Sequence, residues 1–170
     1  QTAGLTGADL ANLCNEAALL ATRRGAMALG REDFRRAYDK ILLGDVRDSR
    51  LSPAEKDRVA VHEAGHAIVA HFSRHSEPLS RVTIIPRSIG ALGVTLQLPT
   101  EDRYLVTKED LLDRICVMFG GRVAEELVCG DISTGAHDDD TGATETARQM
   151  VTRLGMSEKL GAMTFGRQQS

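Results

Sequence analysis

The segment His62-Glu63-Ala64-Gly65-His66 constrains this chain more than any other feature of its 170 residues. Residues four apart on an α-helix lie one turn above each other on the same face. On a helix, His62 and His66 therefore aim their rings at one point, where each nitrogen can bind a shared zinc ion at about 2.0–2.1 Å. Glu63 stands roughly 100° further round the helix, beside such an ion rather than on it. A general base that takes a proton from metal-activated water needs that position. The pattern predicts a zinc site for hydrolysis, with His62 and His66 as ligands and Glu63 as catalytic base.

The surrounding sequence supplies the helix. Ser52 is an N-cap, Pro53 fits the first turn, and Glu55 closes a capping box. The helix is expected to run through the His-Glu segment to about Arg74, with Val59, Ala67, Ile68 and Phe72 packing a core. Gly65 in a helix interior costs about 1 kcal/mol relative to Ala, and close approach of another backbone or a substrate accounts for it.

Elsewhere the pattern reads as mainly α with a small β-sheet, an α+β fold. Thr6 caps a first helix with an apolar stripe of Leu10, Leu13, Cys14, Ala17, Ala18 and Ala21, stopped at Gly25. A second helix is expected from Arg31 to Leu43, followed by a polar linker from Gly44 to Arg50. Arg81–Pro86 and Leu92–Leu98 read as strands around a turn at Ser88–Gly90. Thr107 caps a helix to Leu127 whose apolar face is Leu111, Leu112, Ile115, Met118 and Phe119. A loop from Gly130 to Asp140 leads to a last helix from Thr141 to Leu154.

Composition removes several alternatives. The net charge of −3, with no Trp and 4% aromatic residues, gives no basis for binding nucleic acid. No apolar run reaches the roughly 20 residues needed to span a bilayer. Cys14, Cys116 and Cys129 form no CxxC pair and read as small buried apolar residues in a reducing compartment. The chain opens at Gln1, not Met, and ends in polar Arg167–Ser170, so it is expected to be part of a longer protein.

Three protein ligands and one open position make a catalytic zinc site, and spacing alone leaves the third ligand open. His71 and His75 lie off the His62 face. Glu125, Glu126, His137 and Asp138–Asp140 remain, and a carboxylate cluster opening a helix also serves as N-terminal capping.

Taken together, Thr6–Leu13 with Asn15–Ala18, His62–Val69, Val82–Arg87, Ala91–Thr95, Gly120–Glu126, Ser133–Ala136 and Met150–Ser157 resemble, in order, the FtsH family of membrane-anchored AAA+ zinc proteases. The resemblance implies a helical zincin-type metallopeptidase domain over 46–170, continuing past Gly166 in the family, after two helices of an AAA+ lid over 1–45. It implies Asp139 as the third ligand of one Zn2+ per chain. It also implies an outer role for Glu125, orienting a ligand histidine, against which stands a plain ion pair with Arg122. The Leu92–Leu98 strand, through Gly93, Val94 and Thr95, is expected either to bind extended substrate backbone or simply to complete the sheet.

The phosphate loop GxxxxGK[ST] is absent, so ATP and Mg2+ are expected to act in the parent protein and ATP-binding residues are expected to be none here. The family further implies a homo-hexamer that degrades unfolded or misassembled membrane and cytosolic proteins. Its anchor lies outside this chain, and its catalytic part faces the cytoplasm at a bacterial inner membrane. Two other readings remain at this point, a non-catalytic zinc-stabilised assembly module and an ATP-independent zinc peptidase.

Overall fold

Local capping chemistry places most of the elements. The computed structural model describes residues 5–48, 51–88, 90–99 and 103–165. Gln1, Ser49 and Arg50 of the expected linker, Ile89 of the expected turn, and the Arg167–Ser170 tail lie outside them. Helices α1 (Gly7–Arg23), α2 (Arg31–Leu43), α3 (Pro53–Phe72), α4 (Lys108–Cys129) and α5 (His137–Thr152) carry the fold, with two strands, β1 (Leu79–Thr83) and β2 (Val94–Gln97). The fold is mainly α with a small sheet, as the sequence predicts. Full capping boxes start α1 at Thr6, α3 at Ser52 and α4 at Thr107.

Helices α1 and α2 form a hairpin around Leu13, Ala17 and Ala37, with Leu20, Phe34, Tyr38 and Ile41 packed on them. The bidentate pair of Arg24 with buried Asp33, at 2.8 and 2.6 Å, ties its loop end, where α1 gives way to α2. The segment after α2 is not a free linker. Arg47 N–H donates to the Pro86 carbonyl at 2.9 Å and Ser88 N–H to the Asp45 carbonyl at 2.8 Å. Asp39 on α2 also pairs with Arg81 on β1.

Strands β1 and β2 are antiparallel, with Val82 opposite Thr95 and Thr83 opposite Val94. Both differ from the expected ranges: β1 begins and ends earlier, and Leu92 and Gly93 form a bend before β2. Helix α3 packs along α4, α4 along α5, and the sheet lies against α3. Among the described residues no helix is long and apolar enough to cross a membrane.

Three expectations on packing and one on a helix start are overturned. Ile68 and Phe72 are exposed, and α3 instead buries His62, Glu63, Gly65, His66 and Ala70. Helix α4 turns Leu112 and Phe119 outward and buries Val117, Gly120, Gly121 and Glu125. All three cysteines are exposed free thiols; on α1 the contact stripe is Leu13, Ala17 and Ala21, four apart, and Cys14 falls one step off it. Helix α5 begins at His137, not Thr141, because a 3-10 turn at Thr134–Ala136, capped by the Ser133 side chain, leads directly into it. The three Asp residues thus sit in its first turn, where they complement the helix dipole.

Candidate metal centre

Glycine makes the site possible. A Cβ at Gly65 would lie 2.3 Å from the Gly120 carbonyl oxygen, so α3 and α4 touch backbone to backbone. The close approach expected from Gly65 is therefore that of a neighbouring helix. One residue on, a Cβ at Gly121 would lie 2.6 Å from Nε2 of both His62 and His66. The histidine rings occupy the space that any other residue at 121 would fill.

Both rings are oriented through Nδ1. His66 Nδ1 lies 2.7 Å from the Val117 carbonyl, which can only accept, so this nitrogen carries the proton. His62 Nδ1 lies 2.8 Å from Glu125 Oε1. Burial pushes the Glu125 carboxyl up, but hydrogen bonds from Ser133 N–H, Arg58 and His62 outweigh it and hold it below its ordinary value. It is ionised, and His62 Nδ1 donates to it.

Each neutral ring thus directs a bare Nε2 lone pair inward. The two Nε2 atoms are 2.9 Å apart, and Asp139 Oδ2 is 3.3 Å from the first and 3.5 Å from the second. Three acceptors converge with no donor of their own, and a cation is what satisfies them. Among the described residues, His62, His66 and Asp139 are the group of metal-binding side chains found close enough to share one ion. Without metal the same convergence attracts protons. The Asp139 carboxylate raises the His62 pKa against burial, and on His66 the same carboxylate and the Val117 carbonyl outweigh burial. Burial raises the Asp139 carboxyl, but both rings pull it well below the ordinary range. Two histidines and one carboxylate, with imidazole orientation fixed from behind, suit zinc.

The other candidates are placed elsewhere. His71, His75, Glu126, His137 and Asp138 are exposed. Asp140 pairs with Arg122 at 2.6 Å, so Arg122 is not the partner of Glu125; that partner is Arg58, at 3.1 Å.

Glu63 is buried beside the ligands, and burial pushes its carboxyl up. The Thr95 hydroxyl donates to Glu63 Oε2 at 2.6 Å. Gly93 leaves room for the same carboxylate: its Cβ would lie 2.6 Å from Glu63 Oε1. Two features of this shell escape a reading by motif. Thr95 turns its hydroxyl to the base, and Arg58 reaches Glu125 from one turn below His62. The four-residue spacing of Arg58, His62 and His66 was the available signal.

A helix-borne His-Glu-x-x-His pair with a carboxylate from a second helix defines the metallopeptidase class. The Peptidase family M41 profile matches residues 49–170, and the AAA+ lid domain profile matches residues 1–36. The chain belongs to peptidase family M41. It is 54% identical over 168 residues to the ATP-dependent zinc metalloprotease FtsH of Pseudothermotoga lettingae, covering 98% of this chain and 27% of that protein. It is 56% identical over 161 residues to FtsH 1 of Methylacidiphilum infernorum, covering 94% and 25%. With FtsH of Thermotoga maritima it shares 51% over 170 residues, covering 99% and 28%. The chain thus spans about a quarter of the length of these relatives.

Proposed function

We propose that this chain carries the peptide-hydrolysing site of an ATP-dependent zinc metalloendopeptidase, with His62, His66 and Asp139 as ligands and Glu63 as base. The convergence of three bare acceptors beside a buried carboxylate is the observation that carries this reading. Bound there, zinc supplies a Lewis acid for the scissile carbonyl and lowers the pKa of water towards ~7.

The chain's own residues do the rest. Glu63 takes the proton of the attacking water and returns it to the leaving amine. Thr95 holds one oxygen of that carboxylate, which leaves the other to carry the proton. Glu125 and the Val117 carbonyl keep both imidazoles in the tautomer that offers Nε2. Among the described residues β2 has one strand partner, β1, so Gly93, Val94 and Thr95 offer an edge beside Glu63 to extended substrate backbone.

The reading extends to the whole protein on family grounds. Residues 1–45 belong to the AAA+ lid and 46–170 to the peptidase domain. ATP and Mg2+ act in the motor of a homo-hexamer that delivers unfolded or misassembled membrane and cytosolic proteins. A membrane anchor lies outside this chain, and the catalytic part faces the cytoplasm of a bacterium. The names of the relatives support the ATP dependence and the zinc, and the lid profile supports the AAA+ part. The hexamer, anchor, substrates and cytoplasmic face rest on the resemblance to the FtsH family.

Glu63→Gln in the intact protein tests the core of it. Zinc content should stay at one per chain while ATP-dependent casein cleavage falls by ~10²–10⁴, the range for loss of a general base. Cleavage that persists would overturn the role of Glu63, and a wild type without zinc would overturn the reading as a whole.

A further inference from the structure

Arg58, His62 and His66 form one stripe on α3, each a turn above the last. Only the two histidines belong to the motif. Arg58 is half-buried and reaches two places. Its Nη1 lies 3.1 Å from Glu125 Oε2 and 3.3 Å from the Asp131 carbonyl, and its Nη2 lies 2.6 Å from Asp131 Oδ1. Glu125 Oε2 also accepts from Ser133 N–H at 3.0 Å, while its Oε1 accepts from His62 at 2.8 Å.

These contacts join the two sides of the site. Glu125 is 1% exposed, and a buried carboxylate without a compensating cation or donors is strongly disfavoured. The segment Asp131–Ser133 follows the left-handed Gly130 that ends α4, and it leads through the 3-10 turn into α5. Asp139 lies in the first turn of that helix. One guanidinium thus fixes the carboxylate behind His62 and the turn from which Asp139 is presented. Arginine suits this task because its planar fork addresses two acceptors at a set angle, which a lysine ammonium does not.

We propose that Arg58 is a positioning residue of the metal centre, holding His62 (through Glu125) and Asp139 (through the Asp131–Ser133 turn) in register for one ion. The inference rests on the zinc reading above and adds a determinant of metal affinity outside the ligand set.

Zinc affinity of the intact protein, measured by competition with a chromophoric chelator, tests it without relying on activity. Arg58→Met should weaken zinc binding ~10–100-fold, the usual loss for a partner behind a ligand, with one zinc per chain restored at saturation. Arg58→Lys should recover part of the loss, and Asp131→Asn should show a smaller one. Melting of the metal-free forms separates affinity from folding. Arg58→Met that melts lower but binds zinc as tightly as wild type would show a structural residue and overturn the proposal. If Arg58→Met does not fold, wild-type affinity in both Arg58→Lys and Asp131→Asn has the same consequence. A wild type that binds no zinc would defeat the zinc reading itself, whereas a zinc-binding wild type matched by its variants defeats the role of Arg58 alone.

Discussion

Asp138, Asp139 and Asp140 differ by one helical step each, and that step decides what each carboxylate meets. Asp138 points to solvent, Asp139 to the two histidines, and Asp140 to Arg122. Substituting them singly gives a sharp pattern. Asp139→Ala should lose zinc by more than the ~10–100-fold expected for an outer partner, whereas Asp140→Ala should keep it and lose only a partly exposed ion pair. Zinc per chain after dialysis, by atomic emission, checks both; equal retention would remove Asp139 from the ligand set. The convergence of His62 and His66, with Glu63 beside them, was legible because residues four apart share one face of any helix. Asp139 was not legible from spacing. Its direction depends on where α5 begins, and the 3-10 turn capped by Ser133 moves that start to His137. Resemblance named Asp139 where periodicity left six candidates.

The crossing of α3 and α4 shows a different limit at the level of elements. Capping residues reported the starts of α1, α3 and α4 well, because a cap is a local interaction. Apolar periodicity misplaced the buried faces, since here two helices meet through glycine backbone and polar side chains instead of through Ile68, Phe72 or Phe119. Gly65→Ala separates the two kinds of information. Helix propensity alone predicts a gain of about 1 kcal/mol. The added Cβ would instead meet the Gly120 carbonyl at 2.3 Å and the Ala124 Cβ at 2.6 Å, and overpacking of this kind costs about 1–3 kcal/mol. The variant should melt below wild type, and because Val117 and Glu125 ride on α4, it should also bind zinc more weakly. An unchanged or higher melting temperature would contradict the close crossing.

At the scale of the molecule, two linkages set the response to solution conditions. In the helical hairpin the Arg24 guanidinium, with the Gly30 N–H, holds the Asp33 carboxyl at about 2, below its ordinary 3.8. A carboxyl lowered on folding stabilises the folded form above the unfolded pKa and loses that contribution as pH falls towards the folded one. The melting difference between wild type and Asp33→Asn should be constant above pH 4 and shrink towards pH 2; a gap that persists undiminished at pH 2 would rule out this pair as its source. Metal removal acts on the other half of the chain. Chelation should lower the melting temperature of wild type and leave that of Asp139→Ala unmoved, as read by circular dichroism with and without chelator. The ligands come from α3 and α5, with the sheet and α4 strung between them along the chain. A bound ion therefore closes a loop of roughly 70 residues, and in the chain-entropy picture a permanent cross-link of that span withdraws about 4 kcal/mol of disorder from the unfolded ensemble. The centre proposed to cut other polypeptides is in this sense also a clasp on its own chain, and removing its zinc should leave the chain harder to keep folded as well as inactive.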